Sequence, residues 1–283
     1  MNSPADCYRL HNGIEIPCIG FGTYQMPNDA LGVSAVKQAI QAGYRHIDTA
    51  AGYNNEESVG IAVRESEVPR ADLFITTKLQ NDMHGYSNTM VAFEQSMKNL
   101  NMEYLDLYLI HWPNPITIRD NWKAANEGTW KAFEELYQAG RIRSIGISNF
   151  HAHHIDALCE TATVLPMVNQ IRLCPGDTQS DLVEYCRKRQ IILQAYSPLG
   201  SGQIFDVPEM KNIADTYGKS VAQVCIRWSL QMGFLPLPKT VNNERIVENA
   251  DVFGFELSDA DMKNIAGLSG CCGYSLHPDE VEF

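Results

Sequence analysis

From residue 19 to about residue 253 the chain repeats one pattern, a short apolar run that ends on a polar residue and gives way to a helical periodicity. Counting the first at Phe21, the runs end near Asp48, Lys78, His111, Ser148-Asn149, Gln170, Tyr196 and Lys239. Asn28-Asp29 can cap a helix through about Ala42, with Leu31, Ala35 and Ile40 as its buried stripe. Later helical readings cover 56–65, 88–99, 129–139, 151–160, 179–189, 220–232 and 244–253. Eight strand–helix units of roughly 30 residues match βαβ repetition. With no Pro/Gly/Ser-rich linker or break in composition, they predict an α/β fold, a (β/α)8 TIM barrel, as one domain over residues 1–283. A doubly wound sheet is the alternative, but no G-x-G-x-x-G follows a strand, and Gly20-Phe21-Gly22 is too short a match.

Three segments lie outside the repeat. Residues 8–16 alternate around Asn12-Gly13 and predict an N-terminal β-hairpin. Residues 111–128 read as a long, aromatic-containing loop after the fourth barrel strand, where long loops shape pockets. After Leu257-Ser258 a capped helix runs to about Ala266, and a short irregular C-terminal tail continues to Phe283.

The formal charge of −12 and the lack of a long basic run argue against nucleic acid or an anionic membrane as partner. An anionic ligand therefore needs a local basic pocket. No basic leader with an apolar core opens the chain, and no apolar stretch is long enough to span a bilayer. The cysteines contain no C-x-x-C pair and suit a reducing compartment, although the adjacent Cys271-Cys272 leave a redox role open. A soluble, cytoplasmic monomer is expected.

Asp48, Tyr53, Lys78 and His111 stand at the carboxyl ends of three consecutive strands. A free phenol with a pKa of about 10 gives up its proton reluctantly near neutrality. A lysine held by Asp48 favours the phenolate and is expected to lower the Tyr53 pKa. The same spacing also fits a turn tyrosine beside an ordinary ion pair, and His111 fits a core imidazole bonded to backbone. His46-x-Asp48 and His151-x-His153-His154 raise the possibility of metal, but the second cluster reads as a solvated helix start. Strand ends offering Lys, Asn, Gln and Tyr are poor zinc ligands, so no metal is expected.

Ser148, Asn149 and Gln170 offer donors and acceptors for a flat, amide-bearing ligand, and Tyr196 offers a ring to stack on it. Lys239, Thr240 and Arg245 lie at the last strand end and the start of its helix, the location of phosphate sites in barrels. They could equally be an exposed basic pair.

The motifs Gly22-Thr23-Tyr24, Gly43-Tyr44-Arg45-His46-Ile47-Asp48-Thr49-Ala50, Tyr53-x-Asn55-Glu56, Thr77-Lys78-Leu79 and Asp106-Leu107-Tyr108-Leu109-Ile110-His111-Trp112-Pro113 resemble those of the aldo-keto reductases. Gly146-Ile147-Ser148-Asn149-Phe150, Val168-Asn169-Gln170, Ala195-Tyr196-Ser197-Pro198-Leu199, Pro238-Lys239-Thr240, Arg245 and Glu248-Asn249 extend the resemblance to about residue 268. It implies an NADPH-dependent carbonyl reductase whose catalytic tetrad is Asp48, Tyr53, Lys78 and His111. In that scheme Tyr53 protonates the forming alkoxide, Lys78 paired with Asp48 eases the proton loss, and His111 orients the carbonyl oxygen.

The resemblance also assigns cofactor contacts. Ser148, Asn149 and Gln170 take the carboxamide and Tyr196 the nicotinamide ring. Lys239, Thr240 and Arg245 take the 2′-phosphate, and Glu248 and Asn249 the adenine. Gly22, Thr23, Asp48, Ser197, Leu199, Val241 and Asn242 fall within the same motifs as cofactor positions. Tyr24, Tyr53, His111 and Trp112 are the expected substrate contacts.

The short tail is similar to that of prokaryotic members reducing diketo-acids, glyoxals and other small aldehydes. Two departures bear on substrate preference: Arg172 and Cys174 stand where many relatives have an acid and a histidine, and Gln80-Asn81-Asp82-Met83 replaces a tryptophan-bearing stretch. A nicotinamide-binding sensor that keeps the fold without turnover is the rival from another class, and a barrel hydrolase is a second.

Overall fold

The computed structural model describes residues 1–283. A two-stranded hairpin, β1 (Cys7–Arg9) and β2 (Glu15–Pro17), pairs antiparallel with Tyr8 opposite Ile16. Its turn needs Gly13 at φ +88°, a conformation that glycine adopts without a side-chain penalty. Eight parallel strands then follow in sequence order: β3 (Phe21–Gly22), β4 (His46–Asp48), β5 (Phe74–Leu79), β6 (Leu107–Ile110), β7 (Ile145–Ser148), β8 (Val168–Arg172), β9 (Ile192–Tyr196) and β10 (Leu235–Pro236).

The ends of this sheet meet. Gly20 and Gly22 N–H donate to the carbonyls of Pro236 and Pro238, each at 3.0 Å. A strand residue's N–H and C=O point the same way, so the two prolines accept across the seam but have no N–H to return. Half a ladder therefore closes the (β/α)8 barrel. Glycine suits the other side, because a Cβ on Gly22 would lie 3.0 Å from the Leu237 carbonyl oxygen, a tight contact.

The helices are α1 (Ala30–Gln41), α2 (Glu56–Glu65), α3 (Tyr86–Leu100), α4 (Trp122–Gln138), α5 (Ala152–Cys159), α6 (Ser180–Lys188), α7 (Pro208–Tyr217), α8 (Val221–Gln231), α9 (Asn243–Ala250) and α10 (Asp259–Ala266). Asp29 caps α1 as expected, accepting from Leu31 N and Gly32 N. The buried stripe is shifted: Gly32, Ala35, Val36, Ala39 and Ile40 face inward, while Leu31 is half exposed. Leu31 lies next to the cap, one residue off the inward stripe.

Two further expectations change. The segment 111–128 is not one loop: Ile116–Asn121 forms a 3-10 turn and α4 starts at Trp122. Ala125 and Asn126 continue the buried face of that helix by one more turn, which extends it back past residue 129. Helix α7, absent from the sequence reading, lies between β9 and α8, with Pro208 at its first turn and Gly218 in the left-handed region at its end.

One continuous apolar cluster runs through the barrel and the inward faces of the helices, from Leu10 and Ile16 in the hairpin to Ile265 in α10. At the amino end of β6, buried Asp106 ties the strands together. Its carboxylate lies 2.7 Å from both Arg70 and Arg143 and accepts from Ile75 N at 2.9 Å. No helix is long and apolar enough to cross a membrane.

Candidate active site at the carboxyl end of the barrel

Every strand that ends on one of the singled-out residues delivers it to the same mouth, because parallel strands present their carboxyl ends together. Asp48 ends β4, Lys78 lies one residue before the end of β5, and His111 follows β6. Tyr53 comes from the 3-10 turn Ala51–Tyr53 after β4. The Lys78 ammonium is fully buried and donates to Asp48 Oδ1 at 2.6 Å, to the Thr49 carbonyl at 2.8 Å and to Tyr53 OH at 3.4 Å. The Tyr53 ring meets His111 edge-on at 5.6 Å between centroids, and Tyr24 packs on its other side at 5.1 Å.

Electrostatics distribute the protons. Burial pushes the Asp48 carboxyl up and the Lys78 ammonium down, and each pulls the other back toward the charged pair. Burial pushes the Tyr53 phenol well above its usual value, and Asp48 and Tyr24 push the same way. This reverses the expected lowering, because burial dominates and Lys78 lies closer to Asp48, at 2.6 Å, than to the phenol, at 3.4 Å. Tyr53 is thus held as a neutral phenol. Burial, then Lys78 and His84, push His111 well below the ordinary imidazole range, so it too is neutral.

The amide platform is assembled and interlocked. Ser148 Oγ donates to the Gln170 carbonyl at 2.7 Å, and Asn149 Nδ2 donates to the His111 carbonyl at 2.9 Å and to Ser148 Oγ at 3.1 Å. Tyr196 OH donates to Asn149 Oδ1 at 2.8 Å. Gln170 donates from Nε2 to Asp48 Oδ2 at 2.7 Å and to Gln194 Oε1 at 2.8 Å, leaving its own oxygen as the acceptor for a ligand. Asn149 and Ser197 hold φ of +61° and +48°, in the left-handed region. The four side chains therefore form a rigid shelf along β7, β8 and β9.

At the far side, Asn242 caps α9, accepting from Arg245 N at 3.0 Å, and its own N–H donates to Thr240 Oγ1 at 3.1 Å. Neither Lys239 nor Arg245 has an ion pair within the chain. Two unpaired cations at a helix N-terminus fit a phosphate. Asn249 is buried in the same helix, Glu248 and Val241 are half-buried, and Ser197 and Leu199 line the turn after β9. Gly22 and Thr23 are buried beside Asp48, whose carbonyl accepts from Thr23 Oγ1 at 3.0 Å.

Of the expected substrate contacts, Tyr24 is well exposed beside Tyr53, and Trp112 meets the tail residue Phe283 edge-on at 5.2 Å. Sequence reasoning missed Phe283, Gln194 and His84. Buried His84 reaches the Asn81 carbonyl with Nδ1 at 2.9 Å and the Trp112 carbonyl with Nε2 at 3.1 Å, tying the segment 80–84 to the aromatic loop. Its only sequence signal was a histidine just before a helix.

The departures at Arg172 and Cys174 lie against the tail. Arg172 pairs with Asp177 at 2.5 Å and donates to the Cys272 and Gly273 carbonyls at 2.6 and 3.3 Å, so it anchors the tail. Burial pushes the Cys174 thiol up to about 11 and the Cys272 thiol up to about 12, which keeps both out of the reactive thiolate form. The histidine cluster also differs from expectation. His153 is exposed, but His154 is fully buried, because its ring packs against Phe150 and Trp122.

The aldo/keto reductase family model matches residues 18–269. The chain belongs to the aldo/keto reductase family. It is 47% identical over 278 residues to the glyoxal reductase of Bacillus subtilis, covering 98% of each chain. It is 40% identical over 277 residues to the methylglyoxal reductase DkgA of Escherichia coli, covering 97% of each. Among solved structures it is similar to a Bombyx mori aldo-keto reductase in complex with NADP, at 37% identity and a TM-score of 0.86, covering 94% of each chain. Membership makes this protein an oxidoreductase acting on carbonyl groups.

Proposed function

We propose that the protein is an NADPH-dependent reductase of small aldehydes, α-dicarbonyls and keto-sugars or keto-acids, with Tyr53 as the proton donor. One observation carries the reading: a buried Lys78 ammonium lies between Asp48 Oδ1 and the hydroxyl of a tyrosine whose ring faces His111. A sensor that only binds a nucleotide gains nothing from burying that ion pair behind a phenol.

The residues fit the cofactor. The unpaired Lys239 and Arg245 at the start of α9 would hold a 2′-phosphate, and the Gln170 oxygen with the Ser148–Asn149–Tyr196 shelf would hold the nicotinamide end. When bound, the reduced nicotinamide supplies the hydride for the carbonyl carbon.

The protein's own groups handle the proton. His111 is neutral and directs an N–H or a lone pair without adding charge. It orients the carbonyl oxygen beside Tyr53. The Tyr53 phenol starts protonated and gives its proton to the alkoxide as negative charge develops on that oxygen. Lys78, 3.4 Å away, stabilises the phenolate that remains, and Asp48 keeps the ammonium charged in a buried site.

The small-dicarbonyl preference rests on the two bacterial relatives, a glyoxal and a methylglyoxal reductase. It is tested by NADPH oxidation across glyoxal, methylglyoxal, keto-sugars, keto-acids and aromatic aldehydes. The highest kcat/KM is expected on an α-dicarbonyl. Tight NADPH binding with no turnover on any carbonyl would favour the sensor.

A further inference from the structure

The turn that carries His111 is held by side chains alone. No backbone–backbone hydrogen bond involves residues 111–114, and Pro113 has no N–H to give. Instead, four consecutive carbonyls each meet a different side chain. Asn149 Nδ2 donates to His111 at 2.9 Å, His84 Nε2 lies 3.1 Å from Trp112, Asn126 Nδ2 donates to Pro113 at 2.7 Å, and Arg119 donates to Asn114 at 3.1 Å. Asn149 belongs to the cofactor shelf, and Asn126 and Arg119 hold the turn beyond Trp112. His84 grips the carbonyl of an expected substrate contact, one residue past His111.

His84 lies between β5 and α3, buried on a backbone that is itself fixed. Asn88 Nδ2 donates to the His84 carbonyl at 3.2 Å, Thr89 Oγ1 to the Met83 carbonyl at 3.3 Å, and Gly85 N–H to Thr129 Oγ1 at 2.8 Å. Strands β5 and β7 flank β6 in the sheet, so His84 and Asn149 reach the turn from either side.

The ring meets two acceptors. Nδ1 lies 2.9 Å from the Asn81 carbonyl and Nε2 lies 3.1 Å from the Trp112 carbonyl. Burial, opposed by those two carbonyls and by Asp82, pushes His84 down from its ordinary value, so at pH 7 the ring is neutral with one N–H. The Asn81 carbonyl is also approached by Thr117 Oγ1 at 3.5 Å, whereas the Trp112 carbonyl has no other donor. The proton therefore belongs on Nε2, where its loss would strand a carbonyl. The Asn81 contact, internal to the same segment, is completed only in the imidazolium form.

Building on the carbonyl-reductase reading, we propose that His84 is a positioning residue: its Nε2–H holds the Trp112 carbonyl and so fixes the His111–Trp112 turn that a carbonyl substrate meets. Releasing that carbonyl lets the His111 imidazole drift from the place where a carbonyl oxygen must lie. A misplacement of about 1 Å costs on the order of 10²-fold in rate. The cofactor contacts sit on other elements and are left intact.

The test compares His84→Gln, whose amide can donate in place of Nε2, with His84→Leu, which cannot. NADPH affinity and kcat and KM for methylglyoxal are measured for each, with urea unfolding in parallel. His84→Leu is expected to lose about tenfold or more in kcat/KM at unchanged NADPH affinity, and His84→Gln to stay within about threefold of wild type. Unchanged kcat/KM in a folded His84→Leu would overturn the proposal. So would a loss that His84→Gln fails to restore, or an equal loss of NADPH affinity, either of which marks a merely structural residue. Imidazole 15N spectra, assigned with His84→Gln, read the same bond without turnover: Nε2 should carry the proton at pH 7. A proton on Nδ1 alone would overturn the proposal even in an active enzyme. An Nε2 proton in a wild type that reduces no carbonyl would support the clamp and fail the reductase reading instead.

Discussion

Gln170 reaches across the barrel from β8 and donates its amide to Asp48 Oδ2 at 2.7 Å, while Lys78 takes Oδ1 at 2.6 Å. The same side chain thus belongs to the shelf for the cofactor and to the ion pair behind Tyr53. Replacing it with leucine leaves a buried carboxylate oxygen without its donor, a loss of about 1–3 kcal/mol. Gln170→Leu is expected to lower the unfolding free energy read from urea titration by that amount and to weaken both NADPH affinity and kcat. A variant that loses cofactor affinity alone would show that the bond to Asp48 is incidental.

Lys239 and Arg245 are the unpaired cations of the last helix start. A charge-assisted bond to phosphate is worth about 1.5–3 kcal/mol. Lys239→Ala and Arg245→Ala are each expected to weaken NADPH at least tenfold and leave NADH nearly unchanged, as read by calorimetric titration. Equal losses for both cofactors would move the phosphate elsewhere.

Arg172 holds the tail through the Cys272 and Gly273 carbonyls. Arg172→Met strips the partner from Asp177 in a buried setting, where an uncompensated charge costs about 3–5 kcal/mol. We expect a destabilised protein whose tail is cut rapidly by protease. Rank order among carbonyl substrates should survive at temperatures where the variant is folded. A selective change in that order, without loss of stability, would return Arg172 to the substrate pocket.

Acid stability follows from the buried histidines. Burial pushes His46 down to about 3 and His154 down to about 4, so both stay neutral in the folded chain while the unfolded chain protonates near 6.5. Their stabilisation is complete above the unfolded value and is lost as pH falls below it, by about 1.4 kcal/mol per pH unit for each histidine. Urea unfolding between pH 7 and pH 5 should show stability falling with a slope that steepens toward this limit, reduced by one histidine's share in His46→Gln. A flat profile in the wild type would contradict it.

The barrel was readable in the sequence because each strand is short, apolar and closed by a polar residue that the parallel geometry sends to one mouth. Asp29, Ser258 and the Asn12-Gly13 turn gave their elements away through local backbone bonding. What stayed hidden depends on tertiary placement. The direction of Arg172, the burial of His154 and the Phe283–Trp112 contact bring together residues far apart in the chain. The sign of the Tyr53 shift is hidden for a related reason: proximity to a lysine is visible in the motif, but the burial of the phenol, and Asp48 and Tyr24 close to it, are visible only in three dimensions. Helix α7 is absent from the sequence reading although Pro208 stands at its first turn.

The most direct test of the proton-donor role is Tyr53→Phe, measured by single-turnover NADPH oxidation with methylglyoxal alongside NADPH affinity. The account predicts a fall in the hydride-transfer rate of about 10²-fold or more, the size of a lost general acid, with cofactor affinity unchanged. Turnover at the wild-type rate would contradict it and pass the proton to His111 or water.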